Sequence, residues 1–121
     1  QRVQLLYESL VSVAGKHASF TYEVLVVDYE MKGAAVVGRF PETANSCRMR
    51  YVRNVGNVGM VGNWNKCIQL ARGKFVTILH DDDFLTHEFF ECIESLFDSW
   101  SDSSVMYGFY SFVQDKSAIA C

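Results

Sequence analysis

Three consecutive carboxylates, Asp81-Asp82-Asp83, stand at the end of the apolar run Phe75-Val76-Thr77-Ile78-Leu79-His80. Adjacent aspartates repel one another, and the repulsion relaxes when a cation sits among their oxygens. A solvated acidic turn opening the next helix would carry the same residues. A second carboxylate, Asp28, ends a second apolar run, Tyr22-Glu23-Val24-Leu25-Val26-Val27. Such runs read as strands buried on both faces, the habit of parallel sheets. In open parallel sheets, ligands bind beyond the carboxyl ends of the strands. Asp28 and the triplet are therefore expected near each other on one sheet edge.

Between the two runs lies Asn54-Val55-Gly56-Asn57-Val58-Gly59-Met60-Val61-Gly62-Asn63. It leads into a helix expected to carry Trp64, Cys67, Ile68 and Ala71 on one face. Free N–H groups at a helix start favour anions. The loop is neither GxGxxG nor a P-loop, since no Gly-Lys-Ser/Thr follows. Combined with the carboxylates, it suits a nucleotide whose phosphates are bridged by a divalent metal.

The elements that must hold these residues alternate helix and strand. Val3, Leu6, Leu10 and Val13 recur at helical spacing, which predicts an opening helix ending near Gly15. Ala35 to Val37 could start a helix, but Gly38 and Pro41 argue against a long one. Arg50 to Arg53 reads as a short third strand. Gly73 is placed to close the Trp64 helix, with Arg72 in its last turn. Thr86 is a fair N-cap for a helix whose stripe is Phe89, Phe90, Ile93, Leu96, Phe97 and Trp100, all core-facing. Val105 to Val113 is aromatic and strand-like. The alternation means α/β with a mainly parallel sheet.

A chain of 121 residues fits one domain, and half of them are hydrophobic, which excludes disorder. The formal net charge is −3, from 11 basic and 14 acidic residues, and argues against a general nucleic-acid binder. Its distribution is uneven. From Lys32 to Lys74 the only acid is Glu42, and from Asp81 to Asp115 there is no Lys or Arg. Such blocks hold an anion and a cation side by side, or are two solvated faces. Cys47, Cys67, Cys92 and Cys121 show no CxxC spacing, which argues against zinc. Cys67 and Cys92 are expected as buried thiols in a reducing compartment. No segment approaches the apolar length of a membrane span and no signal peptide is evident. The expected location is the cytoplasm, or the inner face of a membrane.

Two stretches, Arg53 to Cys67 and Ala71 to Asp83, resemble the family 2 glycosyltransferases of the GT-A fold. Tyr7 to Val13 and Glu23 to Asp28 match that family's first helix and second strand, and the resemblance runs from Tyr7 to about Leu96. It implies a Rossmann-like nucleotide-binding half, with residues 1–121 forming a single partial glycosyltransferase domain on the donor side. It implies nucleotide contacts from Asp28, Arg53, Asn57, Gly59, Asn63 and Asp81, with Asp28 on the base. It implies Mg²⁺ or Mn²⁺ held by Asp81, Asp82 and Asp83. Two registers are open. Literal DxD spacing pairs Asp81 with Asp83; alignment by the strand puts Asp82 and Asp83 on the metal and Asp81 near the ribose, with His80 at the family's first aspartate.

The implied partners are a nucleotide-diphosphate sugar and a saccharide or lipid-linked acceptor, in polysaccharide or glycoconjugate synthesis. The general base is expected beyond Cys121. Departures from the pattern are Tyr29 in place of a second acid and Glu30-Met31-Lys32 in place of a glycine–serine loop. A donor-binding module without catalysis is the alternative. A phosphoacceptor receiver fits less well, because a helix precedes the first strand and the acids are tripled.

The chain opens on a helix, whereas the resembled fold places a first strand between the runs ending at Asp28 and His80. Without that strand, two edges face a gap. Three repairs are expected: a strand preceding Gln1, one borrowed from a second copy with Val105–Val113 as the lender, or direct pairing of the two edges.

Overall fold

The computed structural model describes residues 1–97. Its elements are α1 (Arg2–Val13), β1 (Tyr22–Asp28), α2 (Lys32–Val37), β2 (Thr43–Ala44), β3 (Cys47–Arg53), α3 (Gly59–Leu70) and α4 (Glu88–Phe97). β1 and β3 pair in parallel along all seven residues, from Tyr22 opposite Cys47 to Asp28 opposite Arg53. β2 joins the far side of β3 in antiparallel sense, giving the order β1-β3-β2. The fold is a small α/β unit with a mixed sheet.

Side chains alternate across the ladder, so each strand feeds two layers. On one face Val24, Val26 and Met49 meet Leu10 of α1 and Val36 of α2. Phe40 and Tyr7 extend this core, and the Arg39 guanidinium lies 4.0 Å above the Tyr7 ring. The Tyr22 hydroxyl donates to the Val13 carbonyl and accepts from the Lys16 amide, each at 2.8 Å. Burial pushes its phenol far above the ordinary value. α4 lies on this face as well. Its Phe90 ring stands 5.1 Å from Tyr22, and the Ser19 amide donates to Glu94, holding that carboxyl below its usual range.

The opposite face carries α3. Glu23 and Arg50 project there as a largely buried ion pair at 3.3 Å. The Arg50 guanidinium also donates to the Leu70 carbonyl, and Glu23 accepts the Arg72 amide at 2.9 Å. The pair thus closes the end of α3, where free carbonyls favour a cation.

The structure corrects several expectations. The run Phe75–Leu79 is not a strand. A strand exists by virtue of its ladder, and no described strand lies beside this one. Val76 is 48% exposed and Ile78 37%, so the run is not buried either. Direct pairing of its edge with β1 is likewise overturned, since β1 pairs only with β3 among the described residues. α3 ends at Leu70 because Ala71 turns extended (ψ 137°), so neither Gly73 nor Arg72 caps it. Ile68 on α3 is exposed rather than packed, Cys67 is only partly buried, and Cys92 is exposed. Among the described cysteines the buried thiol is Cys47. The third strand is longer than expected, beginning at Cys47. The expectations for Trp100, Val105–Val113, Cys121 and the side chains of Leu96 and Phe97 lie outside the described residues.

Arg50→Met tests the clamp. It leaves Glu23 buried without its cation and the Leu70 carbonyl without its donor. The expected loss is about 2–4 kcal/mol of unfolding free energy, read as a lower urea midpoint with unchanged slope. A midpoint equal to the parent's would show that the pair does not hold α3.

Candidate functional site

Asp28 ends β1 directly opposite Arg53. Its Oδ1 accepts the Glu30 amide at 2.7 Å and its Oδ2 accepts the Gly33 amide at 3.0 Å. The carboxylate therefore closes the turn between β1 and α2. Residue 33 has to be glycine here, because a Cβ would lie 2.6 Å from Asp28 Oδ2 and 3.2 Å from the Tyr51 ring. The Tyr51 hydroxyl is buried next to Asp28 yet meets no hydrogen-bond geometry. Burial first, and the Asp28 charge second, raise its phenol above the ordinary value.

Arg53 reaches over the same turn, its Nε donating to the Tyr29 carbonyl at 3.5 Å. Tyr29, where the family pattern has a second acid, is exposed, and its hydroxyl donates to Glu30 at 3.1 Å. That hydrogen bond and the Glu30 charge push the Tyr29 phenol up.

The asparagines of the glycine loop divide into two roles. Asn57 Oδ1 accepts the Gly59 amide at 2.9 Å, making an Asx turn, and Gly59 takes a φ of +72° that favours glycine. Asn63 is a scaffold residue. Its Oδ1 accepts from Asn54 Nδ2 at 2.7 Å, and its Nδ2 donates to the Val27 carbonyl at 3.1 Å. Asn54 is buried, and its amide donates to the Asp28 carbonyl at 2.7 Å. This network fixes the first turns of α3 to the carboxyl ends of β1 and β3.

The acidic triplet sits in a tight turn in which the Asp83 amide donates to the His80 carbonyl at 3.2 Å. That carbonyl also accepts from Ser9 Oγ at 3.3 Å, and the His80 ring meets Trp64 edge-on at 5.2 Å. The turn is thus held between α1 and α3. Asp81 pairs with Arg2 Nε at 3.3 Å, while Asp82 and Asp83 are exposed. Arg2 is thus the exposed cation paired with the acidic turn. It was missed because a single arginine opening an amphipathic helix carries no signal of its own. Asn54 was missed as well, since only its burial distinguishes it.

Among the described residues, no three His, Cys, Asp or Glu side chains converge in a way that could hold a metal ion. The oxygens of the triplet have the chemistry for a hard divalent cation, but a ligand would have to supply further oxygens.

The family model described as Glycosyl transferase family 2 matches residues 1–119. No curated protein and no solved structure matches the chain.

Gly33→Ala tests the geometry at β1. The added methyl forces the Asp28 carboxylate out of the turn. The expected cost is about 1–3 kcal/mol, measured by urea unfolding. An unchanged midpoint would mean that the carboxylate does not hold the turn.

Proposed function

Since the chain belongs to glycosyl transferase family 2, we propose that it binds the nucleotide-diphosphate sugar donor in transfer to a saccharide or lipid-linked acceptor. The observation that carries this reading is the register that sets Asp28 opposite Arg53 at the carboxyl ends of β1 and β3. Ligands of open α/β sheets bind at such an edge.

The described residues divide the work by chemistry. The 28–30 turn and Arg53 receive the nucleoside and its first phosphate, with the exposed guanidinium as the cation. Asp81 lies toward the ribose hydroxyls, and Asn57 and Gly59 shape the loop over the phosphates. Mg²⁺ or Mn²⁺ held by Asp82 and Asp83 would offset the charge that builds on the departing diphosphate. Asn63 supports α3 and contacts nucleotide only if its scaffold bonds break.

A second reading is binding without transfer. One observation favours it: both oxygens of Asp28 are already held by backbone amides. Release of free sugar from a nucleotide sugar separates the two readings. Turnover above the spontaneous rate supports transfer.

Calorimetry with Mn²⁺, alone and with uridine diphosphate, tests the donor site. The metal should bind at least about tenfold more tightly when phosphate oxygens complete its shell. Asp82→Asn should abolish that gain, and Asp81→Asn should reduce it less. Equal metal affinity in both conditions would count against the site, and the reverse order of the two variants would restore the literal DxD pairing.

A further inference from the structure

Tyr51 lies on β3, opposite Val26 of β1 in the parallel register. Side chains alternate along the strand, so it shares the face of Met49, which packs on Leu10 and Val36. Its ring and the inner oxygen of Asp28 flank the same glycine. A Cβ on Gly33 would lie 2.6 Å from Asp28 Oδ2 and 3.2 Å from Tyr51 Cε2. The hydroxyl stands one ring carbon beyond that edge, shielded from water and bonded to nothing.

A shielded hydroxyl without a partner destabilises the fold relative to a plain phenyl ring in the same place. The turn it adjoins is complete without it, because Asp28 already holds the Glu30 and Gly33 amides. The hydroxyl therefore does nothing for the free chain that a hydrogen would not do.

The two bonds of Asp28 are unequal. Oδ1 meets the Glu30 amide on the exposed side of the turn, where water or a ligand can replace either partner. Oδ2 meets the Gly33 amide on the half-buried side, next to Tyr51. Each carboxylate oxygen accepts two hydrogen bonds, so Oδ2 has room for a second donor.

We propose that Tyr51 is a positioning residue for the nucleotide: when a nucleoside N–H takes Asp28 Oδ1 from the Glu30 amide, the carboxylate turns and Oδ2 accepts the Tyr51 hydroxyl while keeping the Gly33 amide. The inference rests on the donor-binding reading above. Asp28 then holds three donors instead of two, and the released Glu30 amide is left facing water or the nucleoside. The new bond offsets the loss of the Glu30 amide and fixes the carboxylate in its ligand-facing orientation. Burial first, and the Asp28 charge second, raise the Tyr51 phenol, so the hydroxyl keeps its proton and acts as a donor. The exchange reconciles an Asp28 already bonded at both oxygens with a part in ligand binding.

Tyr51→Phe removes the hydroxyl alone, and two measurements on it must move differently. The urea midpoint should equal or exceed the parent's, since the hydroxyl is unpaired in the free chain. Affinity for uridine diphosphate with Mg²⁺, read by calorimetry, should fall at least about tenfold, since a hydrogen bond to a charged group is lost. The parent gives a third reading. The Tyr51 Cζ carbon resonance should move downfield on saturation with uridine diphosphate, as the hydroxyl begins to donate to a carboxylate. A lowered midpoint would show that the hydroxyl is already bonded in the free chain. It would overturn the proposal and leave the donor-binding reading standing. Equal nucleotide affinity in variant and parent, or an unmoved Cζ resonance at saturation, overturns the proposal in the same way. Failure of the parent itself to bind uridine diphosphate overturns both.

Discussion

The parallel ladder between β1 and β3 is the constraint on which the rest depends. It presents two faces, and each face recruits its own helices. Met49, Val24 and Val26 gather α1 and α2 around Leu10 and Val36. Glu23 and Arg50 hold the end of α3 on the other side. The ladder also sets the polar edge, because its register puts Asp28 opposite Arg53. An acid and a base at adjacent strand ends make one edge of the sheet polar, while the strand interiors stay apolar. A slip of one residue would send Asp28 to the α3 face and Glu23 into the apolar core.

Polar groups at that edge serve structure and chemistry at once. Asp28 spends both oxygens on backbone amides, and Asn63 spends its amide on Asn54 and Val27. Residues left outward are Arg53, Asn57, Asp82 and Asp83, and these are the groups available to a ligand. Rigid inner residues thus position exposed outer ones. The exposed Arg2–Asp81 pair acts through charge rather than packing, so its influence weakens as salt rises. A phosphate-bearing ligand would compete for the same cations and gather the same carboxylates through a shared metal.

Local pattern carried much of this into the sequence. The period of Leu6, Leu10 and Val13 shows in α1, and the β-branched run before Asp28 shows in β1. The asparagine–glycine loop and acidic triplet pointed to the family that the whole-chain match supports. The failures occurred where distant groups decide. Phe75 to Leu79 has the composition of a buried strand, but composition cannot supply a neighbour to bond with. Gly73 and Arg72 look like a helix end, but Arg50 takes the Leu70 carbonyl and Glu23 takes the Arg72 amide. The start of α2 and the Asn45 turn were illegible because they rest on the Asp28 cap and one left-handed residue, φ 53°. The scaffold role of Asn63 was hidden because its partner, Asn54, lies nine positions away.

The central claim is positional: the carboxyl edge of β1 and β3, with the acidic turn beside it, is where a nucleotide diphosphate binds. Mapping amide chemical shifts during titration with uridine diphosphate and Mg²⁺ tests it most directly. The account predicts perturbations concentrated at Tyr29 and Glu30, at Arg53 and Asn54, and at Asp81 to Asp83. Perturbations confined to the opposite end of the ladder, around Lys16 to Tyr22, or none at saturating nucleotide, would contradict it.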